Sequence, residues 1–347
     1  MLKNQLPYFI VLAITILIGC SSEQEPGPST SANSSSSSAT ASKGTIAYSA
    51  LNLTNPFFGI IGDNLTTAAE TAGFDAVVDD AKGDVKTQVE QIESYISRGV
   101  AAIVISPRDR LSINPAIEKS HEAGIPVFTT DLMSVVPVKG SEGEDGEPTY
   151  EPNPLVVGHV GTDNRQGGVL AGTAMVEVLG ETGGKVFILD YPSANSCVLR
   201  VEGFMEVINQ HNEGRETGQI EIVGKQDGNG DMNVGYEVTA AAIQSNQDLA
   251  AIFAINDPSA LGGITALTEA GKADQVTVIA FDGQIEGKQA IKDGKIYADP
   301  IQFPDQMGRL VVQKIQKYMN GEEFDTITLI PTVLYTKADA DNDPELK

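Results

Sequence analysis

Several short apolar runs in this chain end in residues that form hydrogen bonds in pairs. Thr45 to Ser49 leads to Asn55-Pro56-Phe57-Phe58, and Pro126 to Thr130 ends at Asp131. Leu249 to Ile255 ends at Asn256-Asp257, Val276 to Phe281 at Asp282, and a run from Ala298 at Gln302. Carboxylates and amides engage adjacent hydroxyls, and aromatic faces cover the C–H surface of a ring, which is what a small polyhydroxylated ligand requires. Asp and Asn also cap helices that follow strands, and a Phe pair also serves a core. Convergence is what favours a site: Asn55, Phe57, Phe58, Asp131, Asn256, Asp282 and Gln302 all fall at or just beyond strand ends.

Other chemistry finds little support. Asp227-Gly228-Asn229-Gly230-Asp231 opens like a calcium loop, but Met232 takes the place of the required glycine and Val238 that of the bidentate glutamate. His121, His159 and His211 lack zinc-ligand spacing, so no metal is expected. No G-x-S-x-G elbow, P-loop or complete G-x-G-x-x-G occurs, and Cys197 reads as a buried free thiol. Neither catalysis nor a cofactor is expected.

The elements that must position these residues alternate strand with helix. Further strands are expected at Asp75 to Val78, Ala101 to Ser106, Val156 to Gly161, Lys185 to Leu189 and Ile220 to Val223, with helical periodicity over Val85 to Arg98 and Asn233 to Gln247. Such alternation builds parallel sheets covered on both faces, and the number of strands suggests two doubly wound α/β lobes. In that fold ligands sit in the crevice outside the carboxyl ends of the strands, where these polar residues lie. The segment KGSEGEDGEPTYEPNP, residues 139–154, breaks the alternation, and its composition predicts a solvated, mobile loop between lobes.

The amino-terminal segment sets the compartment. Phe9 to Ile18 is a ten-residue apolar run, which as a helix would span only about 15 Å, half a bilayer core, so residues 1–19 read as a signal peptide. Leu17-Ile18-Gly19-Cys20 resembles a bacterial lipobox, implying cleavage before Cys20 and lipidation of its sulfur. Residues 20–43 form a Ser-rich tether with too few apolar residues to bury a face. A formal charge of −24, with no K/R-rich run, excludes nucleic acid as a partner. The body is expected on the periplasmic or extracytoplasmic face of a bacterial membrane, lipid-anchored.

From Gly44 to about Lys337 the chain resembles periplasmic sugar-binding proteins of the ribose-binding type, which capture substrate for ABC importers. The resemblance is carried by NPFFGIIGDNLTTAAETAGF, GIPVFTTD, GTDNRQGGVLAG, RVEGF, AIFAINDPSALGGITAL, VIAFDG and QFPDQMG, in the family's order. It implies two Rossmann-like lobes joined by a three-segment hinge with crossings near Thr162, Gln302 and Pro331. The first lobe would be 44–161 plus 303–331, the second 162–302 plus 332–342, and 343–347 a tail. The seven residues named above become the expected ligand set.

The departures from the family pattern matter. Leu132 follows Asp131 where an Arg is expected, Val198 holds a second Arg position, and an expected aromatic falls near Gly230. Without those guanidinium groups Asp131 and Asp282 need another counter-partner. Arg108 and Arg110 are candidates to supply it, and Asn195 and Ser196 are further possible contacts. The resemblance implies a monomeric, non-enzymatic receptor that closes on a sugar or polyol and delivers it to an ABC permease, and ribose itself is not assumed. Signalling to a chemotaxis or sensor-kinase partner is the alternative, since both uses read the closed form's outer surface.

Overall fold

The computed structural model describes residues 42–142 and 148–347. The segments read from sequence as a signal peptide and a Ser-rich tether, with Cys20, lie outside these residues except for residues 42–43.

The chain opens with strand β1 (Thr45–Ala50), helix α1 (Pro56–Ala72), β2 (Asp75–Asp80), α2 (Val85–Arg98), β3 (Ala102–Ile105), α3 (Asn114–Glu122) and β4 (Val127–Thr130). A hairpin follows, β5 (Val135–Glu142) and β6 (Pro148–Pro152), then β7 (Val156–Thr162). The second run comprises α4 (Asn164–Leu179), β8 (Gly184–Asp190), α5 (Asn195–Asn212), β9 (Ile220–Asp227), α6 (Met232–Ser245), β10 (Leu249–Ala254) and α7 (Asp257–Glu269). It continues with β11 (Thr277–Ile279), α8 (Ile285–Lys292) and β12 (Ala298–Ile301). The chain then returns through α9 (Pro304–Asn320), β13 (Ile327–Ile330), β14 (Val333–Thr336) and α10 (Lys337–Asn342).

Two six-stranded sheets result, ordered β13-β7-β4-β3-β1-β2 and β14-β12-β11-β10-β8-β9. All pairings within them are parallel except β12 with β14. Each order reverses once near its middle, between β1 and β3 and between β8 and β10, and a doubly wound sheet opens a crevice at that point. Central strands are apolar along their whole length, as Ala102–Ile105 is, because helices cover both faces.

Local sequence explains where the helices start. Asn55, Asp84, Asp163, Asp231 and Asn256 each accept a backbone N–H at a helix N-terminus, and Pro56 and Pro258 lie just inside two of them. The polar residues at the strand ends are thus helix caps as well as crevice residues.

The chain crosses between sheets three times: after β7 at Thr162, after β12 at Gln302, and between Ile330 and Val333. Thr162 Oγ1 donates to Gln302 Oε1 at 2.6 Å, and the Thr332 amide donates to Gln166 Oε1 at 2.9 Å, so the crossings are tied to one another.

The described parts of the segment 139–154 pair as strands where a loop is expected. Its described residues up to Glu142 and from Pro148 to Pro152 belong to β5 and β6, whose register runs from Val135 opposite Pro152 to Glu142 opposite Pro148. The hairpin joins two strands of the first sheet, so the break in alternation is not the lobe boundary. The reason is local pairing: Val135, Val136 and Tyr150 satisfy a ladder that composition alone, rich in Glu, Gly and Pro, does not suggest.

Candidate functional site

A cleft of about 510 Å³ lies at the carboxyl ends of the strands of both sheets. Asn55, Phe57, Phe58, Asp131, Asn256, Asp282 and Gln302 all line it, together with Arg108 and Ser196. Asn195, the first residue of α5, is not among the lining residues, and neither is Arg110.

On the first-lobe side, Asn55 turns its side-chain oxygen to the Phe57 amide at 3.0 Å. The two rings of Phe57 and Phe58 meet edge to face, with centroids 5.3 Å apart. They are both core and cleft wall, being 3% and 5% exposed. Asp131 sits directly after β4 in the left-handed region, at φ 59°. Its Oδ1 is buried without a hydrogen-bond partner. Burial pushes this carboxyl up to about 7, Arg200 opposing the rise and Asp282 adding to it.

On the second-lobe side Asp282 is held from three directions. Arg200 donates to Oδ1 at 2.9 Å, Gln302 Nε2 to the same oxygen at 2.6 Å, and Gln284 Nε2 to Oδ2 at 3.2 Å. Arg200 is itself 3% exposed, donates to Asn164 Oδ1 and the Ile255 carbonyl, and lies 3.8 Å over the Phe281 ring. Burial raises the Asp282 pKa, opposed first by Arg200 and then by the two glutamines. Asn256 caps α7 through Ser259 and donates to the Gly230 carbonyl at 2.9 Å.

The counter-ion of Asp282 is therefore Arg200, not either of the arginines considered for it. Arg200 stands in the RVEGF segment, and α5 carries it beneath the cleft to Asp282. The signal available in sequence was an arginine among apolar residues of a buried helix face, with Val201, Gly203 and Phe204 beside it. Arg108 instead bridges the lobes: its guanidinium donates to Gly83 O at 2.9 Å and Asn229 Oδ1 at 2.5 Å, and lies 4.8 Å over the Tyr191 ring. Arg110 stacks on Tyr150, 4.7 Å from its centroid.

Tyr191 is the residue that strand-end reasoning missed. A Cβ placed on Gly230 would lie 3.5 Å from its ring, so an aromatic does occupy the neighbourhood of Gly230, delivered by β8 rather than by residues 227–231. Its hydroxyl donates to the Arg108 carbonyl at 2.7 Å, and the Arg110 amide donates to Ser193 O at 3.1 Å, so the two lobes are bonded across the cleft. The 227–231 segment is a turn and helix cap: Asp227 accepts from the Asn229 amide, and Asp231 from the amides of Asn233 and Val234. Among the described residues no group of three or more His, Cys, Asp or Glu is placed to hold a metal.

Such a site offers buried carboxylates, amides and rings in one cleft, and among the described residues that line it no nucleophile and base are in hydrogen-bond contact. Cys197 lines it, but burial pushes its thiol up to about 12, away from the reactive thiolate.

The model of the family described as periplasmic binding protein domain matches residues 46–323. The ribose import binding protein RbsB of Salmonella typhimurium is 33% identical over 283 residues, covering 81% of this chain and 87% of that protein. A D-ribose/D-allose-binding protein of Pseudomonas aeruginosa is 28% identical over 335 residues, covering 94% and 97%. Among solved structures, an ABC transporter periplasmic solute binding protein of Actinobacillus succinogenes with bound D-allose superposes with a TM-score of 0.73. It is 26% identical, and the match covers 87% of this chain and 100% of that one.

Proposed function

The chain belongs to the periplasmic binding protein family, a transport family of solute receptors and not of catalysts, and from that premise we propose that it captures a sugar or related polyol between its lobes and delivers it to an ABC importer. One observation carries this reading. Asp131 and Asp282, from opposite lobes, turn buried carboxylates into the same cleft, and Asp131 has an oxygen with no protein donor. Adjacent hydroxyls of a saccharide supply such donors, and Phe57, Phe58 and Tyr191 supply faces for its C–H surface.

Asn55, Phe57, Phe58 and Asp131 act from the first lobe in this reading, Asn256 and Asp282 from the second, and Gln302 from the hinge. Ser196 and Arg108 line the same cleft. A ligand held by the first set recruits the second, and only its extra affinity for the closed form drives closure. The ribose- and allose-binding relatives make aldopentoses and aldohexoses the first compounds to test.

A thermal-shift screen of the purified domain against D-ribose, D-allose, other pentoses and hexoses, sugar alcohols and amino sugars tests this directly. A binder at about a hundred times its Kd adds about 2.7 kcal/mol to stability. No shift with any of them, under conditions where the protein unfolds cooperatively, refutes the reading.

Anchoring by lipid at Cys20 rests on the lipobox-like sequence, and Cys20 lies outside the described residues. Among those described, no helix is long and apolar enough to cross a membrane. Cys20→Ala expressed in a bacterial host is expected to move the protein from the membrane fraction to the soluble extract.

A further inference from the structure

Behind Asp282 lies a second pair of acids that the ligand set does not include. Asp257, the first residue of α7, is 1% exposed, and Asp299, within β12, is fully buried. Two consecutive amides of one turn bring their carboxyl groups together. Both also accept amides from the turn that carries Asp282: Gln284 N–H donates to Asp257 Oδ2 at 2.7 Å, and Gly283 N–H to Asp299 Oδ2 at 3.1 Å. On each residue Oδ1 is buried with no partner.

The turn needs such a clamp. Asp282 has φ 123° and Gly283 φ 75°, the region that favours glycine, and a side chain on Gly283 would collide with Ile301. Asp282 in this geometry points its carboxylate at Arg200 and the cleft.

Among the described residues no cation pairs with either acid. The charged groups that bear on it are Asp282 and Arg200, already joined to each other. From α8 it is Gly287 that meets Asp257, leaving no room for a side chain. Neighbouring Lys288 pairs with Asp343 at 3.7 Å, and Glu286 on the same helix adds only negative charge. On α4, Arg165 is engaged with Glu202 and Glu206. Tyr335 of β14, opposite Asp299, donates its hydroxyl to Asp343. Two ionised carboxylates facing each other in so dry a place have no proton to form their contact and repel strongly.

We propose that Asp257 and Asp299 share one proton near neutral pH and, in that state, are positioning residues that clamp the Asp282–Gln284 turn. Release of that proton to solvent at alkaline pH drives the carboxylates apart and loosens both amides. Burial raises both acids above the ordinary carboxylate range, in agreement with this. The proton belongs to the pair, not to either residue. That Asp282 in turn binds the ligand rests on the reading of the site given above; the clamp itself does not.

The test uses the ligand-free domain and follows the backbone amide resonances of Gly283 and Gln284 by NMR across pH. In the wild type both are expected to shift together, with one midpoint well above the ordinary carboxylate range. Asp257→Asn and Asp299→Asn each replace the shared proton by an amide donor, and either is expected to abolish that titration while the resonances stay near their neutral-pH positions. Amides that do not titrate in the wild type overturn the proposal. So does a titration that persists in both variants, which would assign it to Asp282. As no sugar is present, a failed sugar-binding assay bears on the functional reading alone.

Discussion

Tyr191 and Arg108 come from opposite lobes and hold each other at two points. The tyrosine hydroxyl donates to the Arg108 carbonyl at 2.7 Å, and the guanidinium lies 4.8 Å over the same ring. A third bond, from Arg108 to Asn229 at 2.5 Å, returns to the second lobe. The contact exists only when the lobes are together, so it favours the closed form with or without a ligand. A receptor must nonetheless open, and a neutral hydrogen bond worth about 1 kcal/mol net together with one from a guanidinium worth about 1.5–3 kcal/mol is weak enough to allow it.

Tyr191→Phe keeps the ring and removes the bond. It is expected to shift the ligand-free protein toward the open form, seen as a larger radius in small-angle scattering, and to weaken binding about two- to tenfold. Unchanged affinity and radius would show that closure does not use this bond.

Asp131→Ala separates binding from stability. The carboxyl it removes has a buried oxygen without a partner, so the urea midpoint is expected to stay level or rise, while calorimetric affinity falls at least about tenfold. The pH dependence follows from the raised pKa. The folded protein holds this proton more tightly than the unfolded chain, up to about 7 against 3.8. Its contribution to stability is therefore full below about pH 4 and is lost as pH rises through 7. Asp131→Ala flattens that portion of the curve.

Asp282→Ala behaves differently, because it strands Arg200 in the interior. Breaking one partner out of a buried pair costs about 3–5 kcal/mol, so denaturant unfolding is expected to show a large loss as well as lost binding. Asp282→Asn, which still accepts from Arg200 and Gln302, is expected to fold nearly normally and to isolate the effect on affinity. Equal stability of Asp282→Ala and the wild type would mean that the Arg200 contact carries no weight.

Phe57→Ala and Phe58→Ala each open a cavity in the first-lobe core as well as in the cleft wall. About 3–5 kcal/mol of stability is expected to go with either ring, and about 1–3 kcal/mol of binding energy where the ring faces the ligand. Comparing the affinity loss between the two variants identifies which ring is the platform, given that they meet edge to face.

Much of this was legible in the sequence, for a local reason. Runs such as Ala-Ile-Val-Ile at 102–105 read as buried strands, and Asp131, Asn256 and Asp282 follow such runs directly, with Asn55 a short turn beyond β1, so their arrival at one crevice is a consequence of chain order. The hairpin over 135–152 was not legible, because its ladder pairs residues whose composition reads as a loop.

What tertiary structure alone decided is which charges meet. Arg200 and Asp282 are 82 residues apart, Arg108 and Asn229 are 121 apart, and Asp257 and Asp299 come together only where the Gly283–Gln284 turn reaches both. Sequence sets the types of these groups and the strand ends that deliver them. Their pairing depends on distances and on exclusion of water, which come into being only when the helices close over the sheets.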